Sequence, residues 1–150
     1  MTQVKTQVTP STVIDARGLR FGAVITAAVL ATALATSNLW VIVAQAIVFA
    51  IGAFRGPQFT PYALIFKNFV KPRLKSAVIT EDVRPPQFAQ SVGLIFALVA
   101  IAGSITGISG LFVVALSFAL AAAFLNAAFN FCLGCEMYLL LLRARKSQAS

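Results

Sequence analysis

The chain has 150 residues, of which 59% are hydrophobic and only 11% are charged, and its formal net charge is +8. A soluble domain carries roughly 45–50% apolar and about 25% charged residues, so this composition excludes a disordered chain and argues against a soluble globular domain. The absence of histidine excludes histidine-based catalysis and metal binding, and the four acidic residues disfavour paired-carboxylate chemistry.

Four apolar segments follow a polar stretch, residues 1–13, which we expect to form a flexible tail. Each segment is interpreted as a membrane-spanning helix, because four of them leave too little polar chain to cover a soluble core. The segments cover approximately residues 19–36, 39–54, 88–106 and 111–131. The first resembles a signal peptide near Ala33-Leu34-Ala35, but its length and its long polar leader favour a retained helix.

These segments predict an all-α membrane protein with four transmembrane helices, arranged as two repeated helical hairpins with a short amphipathic surface helix between them. The hairpins are predicted at residues 14–55 and 82–142. Residues 56–81 form a cytoplasmic linker between them, and residues 143–150 form a basic C-terminal tail.

The linker is predicted to contain the surface helix. Thr60-Pro61 is typical of a helix start and Pro72 of a helix end. Between them, apolar side chains recur at helical spacing beside two lysines: Tyr62, Ile65, Phe66, Phe69 and Val70, with Lys67 and Lys71. A basic amphipathic helix of this kind lies on the inner leaflet, and lipid anchoring is favoured over docking of a partner.

The distribution of basic residues predicts which ends of the helices face the cytoplasm. All twelve lysines and arginines lie in the N-terminal region, the linker or the C-terminus, and the short connections at 37–38 and 103–110 carry no charge. Four crossings place the three basic regions on one side, which the positive-inside rule makes cytoplasmic. We therefore predict a multi-pass protein of the inner (plasma) membrane with both termini cytoplasmic, and we predict no nucleic-acid partner.

A short motif is repeated at the start of each predicted hairpin. The segments that begin with Asp15-Ala16-Arg17 and with Asp82-Val83-Arg84 share the eight-residue pattern D-x-R-x-x-(R/Q)-F-small. This repetition predicts a parallel repeat of the two hairpins. The aspartate is suited to cap the helix, and the arginine is suited to hold a lipid phosphate or the aspartate of the other hairpin. Helix-start anchoring is the favoured role, and a site for an anionic substrate is the alternative.

Cys132 and Cys135 are the only cysteines, and they form a C-x-x-C pair at the predicted cytoplasmic end of the fourth helix. A helix break at Gly134 would let the remaining chain run along the membrane surface. The spacing allows a disulfide, sulfur transfer or half of a metal site. Reversible thiol chemistry is favoured over simple packing and over a zinc site shared by a dimer, and a structural disulfide is not expected in a reducing cytosol.

The candidate catalytic residues are therefore Cys132 and Cys135, with Glu136 as a proton relay. Which cysteine attacks depends on where the helix ends, because a helix C-terminus raises the pKa of a thiol and an N-terminus lowers it. No cofactor and no resident metal are predicted.

Polar residues within the helices suggest packing rather than chemistry. Asn126 and Asn130 lie one turn apart on the fourth helix, in a stripe of small residues suited to close helix packing. On a straight helix they face away from the cysteines. Gln45 on the second helix is the expected hydrogen-bond partner of this pair.

Several motifs together resemble a known family. They are Asp-x-Arg before each hairpin, Arg55-Gly-Pro…Pro-Tyr62, Arg84-Pro-Pro-x-Phe-Ala89 and Cys132-Leu-Gly-Cys-Glu-Met-Tyr138. The family consists of small integral membrane proteins, mostly actinobacterial, classed as a domain of unknown function, and the resemblance covers about residues 14–145. It implies an association with sulfurtransferase and thioredoxin-like proteins.

Two functions are carried forward from the sequence. The leading hypothesis is thiol redox or sulfur transfer between the C-x-x-C pair and a soluble thioredoxin-like or sulfurtransferase partner. The alternative is a non-catalytic accessory or scaffold subunit of a larger membrane complex. A transporter ranks third, because intramembrane charge is lacking. The lipid bilayer and a second copy of the chain are the other expected partners, and whether a reaction is catalysed stays open.

Overall fold

The computed structural model describes residues 13–74 and 80–149, so the predicted tail at residues 1–12 lies outside the described part of the chain. In that part, helices dominate and two short strands accompany them. The elements in chain order are β1 (Val13–Asp15), α1 (Ala16–Thr36), α2 (Leu39–Phe54), α3 (Pro61–Ile65), β2 (Thr80–Asp82), α4 (Arg84–Thr106), α5 (Ser109–Phe129) and α6 (Leu133–Ala149).

Three of these helices are long and apolar enough to cross a membrane, by length and composition. They are α1, α4 and α5, with 21, 23 and 21 residues. The apolar helix α2 has 16 residues. At 1.5 Å per residue it is about 24 Å long, which is shorter than the roughly 30 Å hydrocarbon core of a bilayer.

The helices form a bundle in which α1 packs on α5, α5 on α4, and α4 on α2. The fully buried side chains belong to residues near the tight connections α1–α2 and α4–α5. Leu30, Ile42 and Leu116 are each 0% exposed, and they form one cluster with alanines of α4 and α5. The main cluster of buried hydrophobic side chains therefore lies toward these connections.

Both tight connections use left-handed backbone to reverse the chain. Ser37 adopts φ 52°, and Asn38 caps α2 by accepting the backbone N–H of Trp40 at 2.9 Å. Gly107 adopts φ 80°, a conformation that glycine reaches without steric cost. The two connections lie at the predicted positions and contain no charged residue.

A two-stranded antiparallel sheet joins the start of α1 to the start of α4. In it Val13 pairs with Asp82, and Asp15 pairs with Thr80. The sequence predicted only helices, assigned Val13 to the tail and placed residues 80 and 81 in the linker. Strands of three residues carry too short an alternation for the sequence to reveal them.

The linker forms a less regular helix than the predicted surface helix. Thr60 caps α3, which changes into a π-helical turn at Phe66–Val70 and a 3-10 turn at Lys71–Arg73. Phe66 is only 4% exposed, because its ring lies against α1 at Gly18, whereas Phe69 is 65% exposed. One aromatic side chain of the predicted apolar face therefore packs into the bundle.

The last helix differs from the prediction at both of its ends. The fourth apolar segment breaks at residues 130–132, two to four residues before the predicted position at Gly134. The predicted basic tail, residues 143–150, is helical as far as Ala149. The chain after the break is thus a separate helix of 17 residues, with the C-x-x-C pair at its start.

Candidate functional site

The break between α5 and α6 positions the C-x-x-C pair. Asn130 adopts the left-handed conformation with φ 55°, and its N–H donates to the Asn126 carbonyl at 3.1 Å. The Phe131 N–H donates to the Leu125 carbonyl at 3.2 Å. This pattern ends a helix with its last carbonyls satisfied, and it turns the chain sharply.

Arg20 of α1 holds the same end of α5. Its Nε donates to the Ala127 carbonyl at 2.9 Å, and its Nη2 donates to the Ala128 carbonyl at 3.2 Å. A cation at a helix C-terminus is favourable because the terminal carbonyls carry partial negative charge. Arg20 therefore ties the start of α1 to the turn that precedes the cysteines.

Cys132 and Cys135 form a disulfide at the N-terminus of α6, with a Cα–Cα distance of 5.2 Å. The Cys135 N–H donates to Cys132 Sγ at 3.2 Å, and the Glu136 N–H donates to the Cys132 carbonyl at 3.0 Å. Cys132 thus occupies the N-cap position, and Cys135 lies in the first turn. The first helical turn brings both sulfurs together, so the pair forms the disulfide that its C-x-x-C spacing allows.

Gly134 seats the start of α6 directly on α4. A Cβ on Gly134 would lie 2.5 Å from the Ala89 Cβ and 2.6 Å from the Ala89 Cα. One turn further on, the rings of Phe88 and Tyr138 are 5.5 Å apart. Gly134 therefore allows two helices to touch, whereas the sequence assigned it to a helix break.

A cavity of about 700 Å³ lies at the end of the bundle where α1, α4 and α6 begin. Small residues of α1, α4 and α5 form part of its lining. They are Gly22, Ala23, Gly93, Ala119, Ala122 and Ala123. Cys132, Cys135 and Glu136 line the cavity at the end formed by the start of α6.

The Asn stripe lies on this cavity as well. Asn126 and Asn130 both line it, together with the two cysteines. The prediction that these asparagines face away from the cysteines assumed a straight helix, and the turn at Asn130 removes that assumption. Gln45 is not their partner, because its Oε1 accepts the Tyr62 hydroxyl at 2.7 Å.

Tyr62 is a polar residue of the cavity that the sequence placed only on an apolar helix face. It bonds Gln45, which is 1% exposed and whose Nε2 has no partner among the described residues. Burial raises the pKa of the Tyr62 hydroxyl, so the group stays neutral at physiological pH. Tyr62 lies 17 residues after Gln45, and no pattern in the sequence predicts the hydrogen bond between them.

Each Asp-x-Arg motif is internally paired. Asp15 accepts the backbone N–H of Arg17 and forms an ion pair with its guanidinium at 2.9 Å. Asp82 and Arg84 repeat this arrangement, with an ion-pair distance of 2.5 Å. In the structure each arginine pairs with the aspartate of its own motif, two residues earlier, rather than with the aspartate of the other hairpin.

The electrostatics of the two aspartates follow from these contacts. Burial acts to raise the pKa of Asp15, but hydrogen bonds from Arg17 and the charges of Arg17 and Lys71 bring it below its ordinary value. The hydrogen bond from the Arg84 side chain lowers the pKa of Asp82. Both aspartates line the cavity as carboxylates at neutral pH.

Comparisons with known proteins give a family and nothing more specific. No curated protein matches the chain, and no solved structure matches it. The family model described as a domain of unknown function (DUF4395) matches residues 14–143 and so includes the cavity, both Asp-x-Arg motifs and the C-x-x-C pair. The chain therefore belongs to the DUF4395 family.

Proposed function

We propose that this chain is an integral membrane protein whose C-x-x-C pair exchanges a disulfide with a soluble thioredoxin-like or sulfurtransferase protein at the cytoplasmic face. The observation that carries the proposal is the position of Cys132 at the N-cap of α6, bonded to Cys135. A helix N-terminus stabilises a thiolate, and the thiolate is the reactive form of cysteine.

The proposed topology has four crossings in two hairpins, with both termini in the cytoplasm. Three helices have the length to cross, and α2 would cross by local thinning of the bilayer. Helix α6 fits an interfacial position beside them. Its residues Leu139–Leu142 are exposed, and Arg143, Arg145 and Lys146 follow in the next turn.

The exchange is a two-step reaction between thiols and disulfides. A thiolate of the partner attacks Cys132 Sγ, the S–S bond breaks, and Cys135 leaves as a thiolate that takes up a proton. The second partner thiolate attacks the partner sulfur of the mixed disulfide and releases Cys132 as a thiolate. The partner leaves oxidised, and the chain becomes a dithiol.

Other roles follow from the same geometry. Glu136 is exposed in the first turn of α6, so its carboxylate is placed to pass protons between the C-x-x-C pair and water. With a sulfurtransferase that carries a persulfide, the Cys132 thiolate would take the outer sulfur and release the partner as a thiolate. Cys135 would then attack Cys132 and release the sulfur as hydrosulfide.

Single-cysteine variants test this function. The probe is a thioredoxin that keeps only its attacking cysteine, activated as a mixed disulfide with thionitrobenzoate, whose release is followed by absorbance. Cys135→Ser should release one equivalent and become cross-linked to the probe through Cys132. Cys132→Ser is the matched control and should react at least tenfold more slowly.

Two results would count against the proposal. Equal rates for the two variants would contradict the assignment of Cys132 as the residue that forms the mixed disulfide with the partner. Failure of both variants to react with the probe, and with a persulfide-loaded sulfurtransferase, would favour the accessory-subunit function, in which the cysteines only pack.

A further inference from the structure

The C-x-x-C pair needs a molecule that takes its electrons. Each exchange with a soluble dithiol leaves two electrons on Cys132 and Cys135, and these are the only cysteines of the chain. No second cysteine pair is present to relay the electrons, so the acceptor has to be another molecule. The cavity beside the disulfide indicates which kind of molecule this is.

The cavity has the size and the lining of a site for a small amphipathic molecule. Its volume of about 700 Å³ falls within the roughly 300–1,000 Å³ of ligand pockets. Phe49, Phe96 and Phe118 line its apolar part, and the C-x-x-C pair lines it too. A soluble protein cannot enter a space of this size, whereas a small lipid-soluble molecule can fit in it.

We propose that the cavity binds a lipid-soluble quinone, which oxidises the dithiol form of the C-x-x-C pair. This inference rests on the proposed function and names the electron acceptor of the same site. Quinones combine an apolar body with two carbonyl oxygens, and they accept two electrons and two protons. They also serve as the terminal oxidants of protein dithiols in the bacterial periplasmic system.

The step balances without a further reactant. The two thiols lose two electrons and two protons, and an S–S bond forms between Cys132 and Cys135. Both carbonyl oxygens of the quinone become hydroxyl groups, so the hydroquinone leaves and the disulfide is restored. Glu136 lines the same cavity and is exposed, so its carboxyl group can pass protons between sulfur, oxygen and water.

The cavity also offers hydrogen-bond donors for a quinone carbonyl. Tyr62 lines the cavity with its hydroxyl bonded to Gln45 Oε1, while Gln45 Nε2 is buried without a partner among the described residues. If the Gln45 carboxamide turns over, Nε2 donates to the Tyr62 oxygen, which frees the hydroxyl hydrogen for a ligand. Asn126 presents a second carboxamide to the same space.

Anaerobic oxidation of the full-length reduced protein in lipid nanodiscs tests the inference. The probe is a ubiquinone with a ten-carbon tail, and the readouts are hydroquinone absorbance and titration of free thiols. We expect one hydroquinone for every two thiols lost. Cys135→Ser should form none, because a single thiol cannot close the disulfide.

A matched pair of glycine variants tests whether the reaction takes place in the cavity. A Cβ on Gly22 would meet only the Tyr62 Cβ, at an ordinary contact distance of 3.8 Å, and Gly22 lines the cavity, so Gly22→Leu adds a side chain to the cavity space. A Cβ on Gly110 has nothing within 4 Å, and Gly110 does not line the cavity. Gly22→Leu should slow quinone reduction at least tenfold, and Gly110→Leu should leave it within twofold of the parent.

The outcomes separate this inference from the proposed function. Gly22→Leu and Gly110→Leu should both still be oxidised by the soluble reagent diamide, and this result would show that their C-x-x-C pair is intact. Exchange with thioredoxin without quinone reduction would overturn the quinone inference alone. Bound quinone beside a dithiol that stays reduced would make the cavity a lipid site and would also overturn it. Quinone reduction without exchange with either partner would support the quinone site and overturn the proposed partner.

Discussion

The contact of Gly134 with Ala89 predicts that one added methyl group displaces the C-x-x-C pair. Carbon atoms in contact are ordinarily 3.5–4.0 Å apart, and the Cβ of a Gly134→Ala variant would lie 2.5 Å from the Ala89 Cβ. The start of α6 must therefore move from α4 by about 1 Å or more. Overpacking of this kind costs about 1–3 kcal/mol.

Gly110→Ala is a matched control for this substitution. Gly110 and Gly134 are both the second residue of a helix, so both alanine variants gain a similar helix propensity of up to about 1 kcal/mol. Of these two positions, only Gly134 would bring an added Cβ into overlap with a neighbouring residue, since a Cβ on Gly110 meets nothing within 4 Å. The difference between the two variants therefore measures the overlap with Ala89 and should be about 1–3 kcal/mol.

Thermal unfolding of the oxidised variants in the same detergent is the assay. Gly134→Ala should unfold several degrees below Gly110→Ala, and in the reduced state it should exchange with thioredoxin at a different rate from the parent. Equal unfolding temperatures and equal exchange rates for the two variants would show that α6 is not seated on α4 as described.

Three further predictions follow from individual contacts. Arg20→Met removes both hydrogen bonds to the end of α5 and should lower the free energy of unfolding by about 1 kcal/mol, measured in denaturant; no loss would contradict the capping role. Tyr62→Phe leaves Gln45 buried without its donor and should lower the free energy of unfolding by about 1–3 kcal/mol in the same assay. No loss would show that the hydrogen bond to Gln45 is not formed. The pKa values of Asp15 and Asp82 are below 3.8, the ordinary value for aspartate. Their ion pairs therefore stabilise the fold at a pH above 3.8, and this stabilisation is lost as the pH falls through the lowered pKa values. Unfolding temperatures should therefore drop between pH 5 and pH 2.5, and the drop should shrink when both residues are changed to asparagine.

The long helices were accessible to prediction because their signal is summed over many residues. Helices α1, α2, α4 and α5 occupy the four predicted apolar segments, and Thr60-Pro61 starts a helix where the sequence indicated one. The aspartate of the first motif caps α1, as a short acidic side chain at that position does. Length, apolarity and capping are properties of consecutive residues, so they can be deduced without knowing the packing.

The sequence predicted the turn before the cysteines at the wrong residue, because Asn130 and Gly134 have each other's expected role. Glycine is the usual residue for left-handed backbone, so Gly134 was the natural place for a break. The structure uses Asn130 for the left-handed turn, and it needs Gly134 for contact with α4. Asparagine tolerates this conformation better than most side chains, but nothing in a single sequence ranks it above a glycine four residues later.

The cavity and the Tyr62–Gln45 bond could not be predicted, because they depend on which helices meet. Small residues predict close helix packing, and near the two tight connections they do pack closely. At the other end, small residues of α1, α4 and α5 line a cavity instead. The same residue types therefore occur both in a packed core and around a cavity, so the sequence alone does not distinguish the two.

The turn at Asn130 gives the C-x-x-C pair a helix of its own. A pair at the end of a straight α5 would lie at a helix C-terminus, where the terminal carbonyls disfavour a thiolate. The turn at Asn130 places Cys132 at a helix N-terminus instead, and Arg20 and Gly134 fix that new helix to α1 and α4. The start of this helix lines the cavity, at the end of the bundle away from the main buried cluster. The position of the sulfurs beside the cavity thus depends on one turn of three residues.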